Sequence, residues 1–129
     1  LMAALPSDLR AVMKSVTKYT DNVGNATGSV AGNVTATTDY LFLLAEFEVF
    51  GSRYYANDYE RNSQLQYDYY KASNSRVAYK HNATGTAVWW WLRSPNYNNN
   101  NNFCNVNTGG GNNNNNAYYS AALLPGFAT

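Results

Sequence analysis

Three small constellations in this chain have side chains that could do chemistry. Cys104, the single histidine His81 and any of the many asparagines supply a thiol, a base and an orienting amide, groups that need only meet in space to make a nucleophile. No supporting motif surrounds them, and Cys104 reads more simply as a small core residue. Glu46 and Glu48 form the second set, a carboxylate pair of the kind used in acid/base catalysis. Two positions apart they diverge on a helix and share a face on a strand, and no histidine or metal cluster accompanies them. A structural role, pairing with Arg93 or Arg53, is the simpler reading. Arg93 is the third. It could anchor an anion, but no second cation lies near it in sequence, and a guanidinium that hydrogen-bonds backbone carbonyls would pin the loop leading onward. No His or Cys cluster and no Asp-rich calcium loop is present, so the sequence assigns no catalytic residue, no metal and no cofactor.

The most unusual stretch is Trp89 to Thr129. Trp89-Trp90-Trp91 and Leu92-Arg93-Ser94-Pro95 are followed by asparagine at Asn96, Asn98, Asn99, Asn100, Asn101, Asn102, Asn105, Asn107, Asn112, Asn113, Asn114, Asn115 and Asn116. Phe103-Cys104-Asn105-Val106-Asn107 alternates, which places Cys104 and Val106 toward a core and Asn105 and Asn107 on the other face with Phe103. A disordered tract has no reason to keep apolar residues in phase, although low-complexity disorder is the competing reading. Asparagine is a poor strand former, so stability alone would not select it repeatedly. The pattern reads as a fixed scaffold that displays interchangeable positions.

The scaffold is expected from the rest of the chain. Leu5 to Tyr19 reads as a helix, with Leu9, Val12, Met13 and Val16 at helical spacing and Arg10, Lys14 and Lys18 on the wetter side. Asp21 to Thr38 reads as a long loop or loose hairpin. Asn25-Ala26-Thr27, Asn33-Val34-Thr35 and Asn82-Ala83-Thr84 match the glycosylation pattern, as expected by accident in an Asn- and Thr-rich chain. Tyr40 to Leu44 is predicted as a short buried strand, Ala45 to Val49 as a helical turn, and Asn57 to Ala72 as a second helix packed through Tyr59, Leu65, Tyr69 and Tyr70. Val77 to Tyr79 should be a strand, His81 to Gly85 a turn, and Thr86 to Leu92 a mostly buried strand. Trp89 to Trp91, Cys104, Val106, Leu123, Leu124 and Phe127 are the expected backbone-holding core.

Composition narrows the partners. The 129 residues suit one domain, 1–129, of α+β class with two helices on a small, mostly antiparallel sheet. A net charge of +1 and 13% charged residues argue against nucleic acid as a partner. No apolar run reaches spanning length, so membrane insertion is not expected. Twelve tyrosines provide stiff contact area with a polar tip. The lone cysteine excludes an intrachain disulfide.

Trp90-Trp91-Leu92-Arg93-Ser94-Pro95, the strand Phe103 to Val106 and the ending Pro125-Gly126-Phe127 resemble the C-terminal half of a C-type-lectin-like domain. More narrowly they resemble the variable proteins of diversity-generating retroelements, many of them gut-phage tail or bacterial surface proteins. Tyr40 to Gly51 is similar to the FLL-x-E-x-E-V segment of related phage domains, so the likeness covers most of the chain from Leu5. The resemblance implies a C-type-lectin-like fold and a variable region at about 96–119. There, adenine-directed mutagenesis would alter Asn codons widely and those of Tyr97, Tyr118 and Tyr119 more narrowly. It implies ligand binding without catalysis, to a protein or glycan on a bacterial host or cell surface, from a phage tail or a bacterial surface, as part of a longer protein. A homotrimer would be natural for a tail fibre. The calcium-holding motifs of sugar-binding C-type lectins are not recognisable. Two alternatives stay open: a fixed structural fibre domain with an inert Asn-rich loop, and a relative of formylglycine-generating enzymes, which would need a second cysteine for a catalytic pair.

Overall fold

The computed structural model describes residues 1–25 and 27–129. The chain is a small α+β domain in which short helices accompany several antiparallel sheets. The first helix, α1 (Ser7–Val12), stops where Met13 turns extended at φ −66° and ψ 140°. The expected continuation to Tyr19 is instead strand β1 (Val16–Asp21), paired in register with β2 (Val34–Asp39) from Val16 opposite Asp39 to Asp21 opposite Val34. Both strands are rich in valine and threonine, whose branched side chains favour an extended backbone, and this preference overrides the helical spacing of Leu9 to Val16. Lys18, expected on the wet side, is buried with its ammonium 3.0 Å from the Thr37 hydroxyl and paired with Asp39. The expected loop over 21–38 is therefore a hairpin connection whose second arm is β2. The acceptor triplet at 25–27 includes Ala26, which lies outside the described residues.

Strand β3 (Phe42–Leu43) is half-buried and pairs with β9 (Pro125–Gly126). Helix α2 (Glu46–Phe50) follows as expected, and Gly51 ends it at φ 68°. A Cβ on Gly51 would lie 2.5 Å from the Gln66 side-chain oxygen, so the left-handed residue and the close neighbour both call for glycine.

The single helix expected over 57–72 is two pieces: a 3-10 turn (Asp58–Asn62), and the one-turn helix α3 (Asp68–Lys71). Between them the Gln64 amide donates to the Tyr19 carbonyl at 2.7 Å and the Tyr67 N–H to the Glu48 carbonyl at 2.9 Å. These tertiary bonds hold the intervening backbone out of the helix. As a result Leu65, Tyr59 and Tyr69 are exposed, and of the four expected packing residues only Tyr70 reaches the core.

The predicted strand over 86–92 is also divided. β4 (Ala78–Lys80) pairs with β5 (Ala83–Val88), while β6 (Trp90–Pro95) pairs with β7 (Asn102–Val106), which in turn pairs with β8 (Asn112–Asn116). The change of partner falls at Trp89, where the Ala122 N–H donates to the Trp89 carbonyl and the Trp91 N–H to the Ala122 carbonyl. Val49, Ala56, Tyr70, Trp90, Leu92, Cys104 and Val106 form the core, with Leu44, Phe50, Tyr55, Ala78 and Ala122 packed around it. Of the expected holders, Trp90, Cys104 and Val106 are fully buried, and Trp89 and Trp91 are half-buried. Leu123, Leu124 and Phe127 are exposed; the closing segment is held by backbone pairing instead, Ala122 with Trp90 and β9 with β3.

Candidate functional site

The asparagine tract is ordered backbone. β7 and β8 pair residue for residue, from Asn102 opposite Asn116 to Val106 opposite Asn112. Directly opposed residues share a face of an antiparallel sheet. Asn112, Asn114, Asn116 and Asn102 therefore lie on the side of Cys104 and Val106, whereas Asn113, Asn115, Asn105 and Phe103 lie on the other. The sequence suggested one displayed set; the pleat divides it in two.

The remaining asparagines occupy turns, and several are committed to their own backbone. Asn96 is buried and its side-chain oxygen accepts the Asn98 N–H at 2.9 Å; Asn99 does the same for Asn101. Asn107 holds the β7–β8 turn, its oxygen accepting the N–H groups of Gly109 and Gly111, each at 2.9 Å, around Gly110 at φ 86°. These are the local side-chain bonds that make asparagine a turn residue. Asn113 bonds the N–H of Asn114, and the Asn102 amide donates to the Asn114 side chain. Asn98, Asn100 and Asn101 are exposed, and Asn100, Asn101, Asn116 and Tyr118 line a concavity of about 570 Å³.

Asn105 is different from all of these. It faces away from the core as the alternation predicts, yet it is 1% exposed, and neither its side-chain oxygen nor its nitrogen has a partner. It forms the floor of a shallow recess of about 170 Å³ walled by Trp89, Asn107, Thr108, Asn113 and Asn115. Trp89 also walls a larger neighbouring groove of about 800 Å³ that includes His81, Val88 and Leu123.

Beneath the tract lies a buried polar network. Arg93 clamps Glu48 with both terminal nitrogens, at 2.7 and 2.6 Å, and also donates to the Leu43 carbonyl and the Thr20 hydroxyl. It thus ties β6 to α2, β3 and β1, and the bidentate geometry is the strong form of such a pair. The structural reading of Arg93 and Glu48 holds. Glu46 is fully buried without a cation; its carboxylate accepts the backbone N–H groups of Tyr54, Tyr55 and Ala56 at 2.7 to 3.1 Å. Arg53 instead donates to the Ala56 carbonyl and stacks over Tyr97 at 3.9 Å. Sequence reasoning missed Glu60, which accepts the Asp21 N–H at 2.9 Å and the Ser94 hydroxyl at 2.8 Å, while Ser94 accepts the Glu46 N–H. Burial raises the Glu60 carboxyl to about 7, against the pull of those hydrogen bonds and of Arg93.

The thiol constellation does not assemble as a reactive one. Cys104 is fully buried, and desolvation together with the nearby Glu46 and Glu60 carboxylates pushes its thiol well above the ordinary value, so it stays protonated. His81 is exposed in the β4–β5 turn. Among the described residues no group of His, Cys, Asp or Glu is placed to hold a metal ion, and no helix is long and apolar enough to cross a membrane.

A family model described as Domain of unknown function (DUF6273) matches residues 1–128. The chain belongs to the DUF6273 family. No curated protein and no solved structure matches it. In this DUF6273 domain the sequence signal that could have located the polar network was Ser94 within Leu92-Arg93-Ser94-Pro95. The recess depended on pairing across β6, β7 and β8, which no local spacing encodes.

Proposed function

We propose that this DUF6273 domain is a ligand-binding domain of C-type-lectin-like type, carried on a phage tail or bacterial surface. Its asparagine positions are diversified by retroelement-based adenine mutagenesis, and its ligand is a protein or glycan on a bacterial cell. One observation carries the reading: a tract that composition alone would leave disordered is a paired strand, fastened by Cys104 and Val106 in the core, beside exposed turn positions Asn98, Asn100 and Asn101. A backbone held by invariant contacts can present changing side chains, since surface substitutions away from special features shift stability by within about 0.5 kcal/mol. Asparagine supplies hydrogen bonds but little apolar area, whereas binding hot spots favour Trp, Tyr and Arg. Variants with Tyr at these positions are therefore the tight binders, and the asparagine form is the weak parent. No catalysis is assigned, in keeping with a buried protonated thiol and carboxylates engaged by Arg93 or by backbone.

The nucleotide sequence of the source locus tests this directly. An imperfect copy of the gene's end, differing almost only at adenines and lying beside a reverse transcriptase gene, is the expected result. Absence of any copy overturns the diversification reading and favours a fixed structural domain. That alternative has its own support in Asn96 and Asn107, which bond their own turns.

A further inference from the structure

We propose that the recess floored by Asn105 is a subsite for a neutral pyranose ring, with Asn105 reading two adjacent hydroxyls and Trp89 covering the ring's C–H face. Buried polar atoms are almost always hydrogen-bonded, yet the Asn105 amide is 1% exposed with both its donor and its acceptor free. These two atoms have essentially no accessible area as the side chains stand, so the ligand reaches them by turning a recess side chain aside, and it must then supply an acceptor and a donor side by side. A trans peptide unit directs its N–H and C=O to opposite sides, so one peptide group does not meet both atoms. Neighbouring hydroxyls each donate and accept, and they do.

The walls agree with this chemistry. Trp89, Asn107, Thr108, Asn113 and Asn115 carry no charge, which suits a neutral ligand and offers nothing to a phosphate or carboxylate. Trp89 is held edge-on by Trp91, ring centres 4.9 Å apart at 70°, and is only half-buried, so it is a stiff apolar platform. Because Trp89 also walls the larger groove toward Val88 and Leu123, a longer saccharide can continue from the recess along that side. The inference rests on the reading of the tract as a ligand-binding face. It adds that the floor of that face has a chemistry of its own, weak but present before any position is changed.

The test uses the 129-residue chain and three probes, the methyl pyranosides of glucose, galactose and mannose, with N-acetylglutamine methylamide as the peptide-like competitor. Backbone and side-chain amide NMR follows the Asn105 amide and the Trp89 indole during titration. The expected result is saturable shifts at both groups with at least one pyranoside, weakened about tenfold or more in Asn105→Leu, which deletes the paired donor and acceptor and keeps the branched shape with somewhat more bulk. Asn105→Leu should melt no lower than the parent, since it removes unpartnered buried atoms. If it fails to fold, Trp89→Leu must show the same weakening. No saturable shift with any pyranoside, binding by the glutamine amide alone, or undiminished binding in both variants overturns the proposal. Selection of binders from a library varied at Asn98, Asn100 and Asn101 separates the two readings. Binders there without pyranoside binding sink only the subsite. Pyranoside binding that needs Asn105, with no selectable binders, supports the subsite and counts against the diversified surface.

Discussion

Replacing Glu60 by glutamine should reverse the order of stability with pH. A folded-state carboxyl raised from 4.5 to about 7 holds its proton after the unfolded chain has lost it. Stability therefore falls as pH rises between those values, by about 1.4 kcal/mol per pH unit and about 3 kcal/mol in all. The contribution is fully present below pH 4.5 and gone above pH 7. Glu60→Gln has no such titration. Its oxygen still accepts the Asp21 N–H and its amide faces Ser94, but Gln64, which donates to Glu60 at 3.3 Å, is left facing a donor. That mismatch costs about 1 kcal/mol at every pH. The variant should be about 1 kcal/mol less stable than the parent well below pH 4.5 and about 2 kcal/mol more stable at pH 8, crossing at about pH 5. Guanidinium unfolding of both proteins at several pH values measures the difference directly, with groups common to both cancelling. A difference that does not change between pH 4.5 and 8 would refute the assignment of a buried proton to Glu60.

Arg93→Ala should cost about 3–5 kcal/mol by leaving Glu48 buried and unpaired, and Arg93→Lys should recover only part of this because it loses the fork; thermal melting of both variants checks the order. Cys104 should resist alkylation in the folded protein and react at the rate of unfolding, so fast labelling in native buffer would contradict its burial. Tyrosine at Asn98, Asn100 or Asn101 should shift stability by within about 0.5 kcal/mol, whereas Asn107→Ala should cost about 1 kcal/mol or more by releasing the turn amides. Equal costs at the two kinds of position in denaturant melts would remove the distinction between displayed and turn-holding asparagines.

What the sequence disclosed was local. The alternation of Phe103 to Asn107 encodes its own two faces, and Glu46 to Phe50 forms its helix because Glu48 reaches back to the Ala45 N–H and Gly51 stops it. What it concealed depended on distant partners. The helical spacing of Leu9 to Val16 runs on into Tyr19 until Val34 to Asp39 is placed beside Val16 to Asp21. Trp89 reads as mid-strand until Ala122 takes its hydrogen bonds. The asparagine tract was legible as residues, yet its division into two faces follows from the β7–β8 register, and the isolation of the Asn105 amide follows from neighbours on three strands.

The closing contacts also fix what can be replaced as a unit. β9 pairs with β3, and Ala128 bridges to Lys14, so the chain downstream of the tract is tied back to the first half of the domain, while β6 is tied there by Arg93. Both ends of the segment are thus moored independently of what lies between them. For a tethered segment, doubling the length of a flexible loop costs only about 0.6 kcal/mol of closure entropy. Neither connection of the three-stranded sheet is flexible in that sense. The one at 97–101 is pinned by Asn96 and Asn99 on their own turn amides and by the Tyr97 N–H on the Tyr55 carbonyl, and the β7–β8 turn by Asn107 around Gly110. The moored ends and the pinned turns together leave room for a change of side chain at the exposed positions Asn98, Asn100 and Asn101, but not for a free change of length.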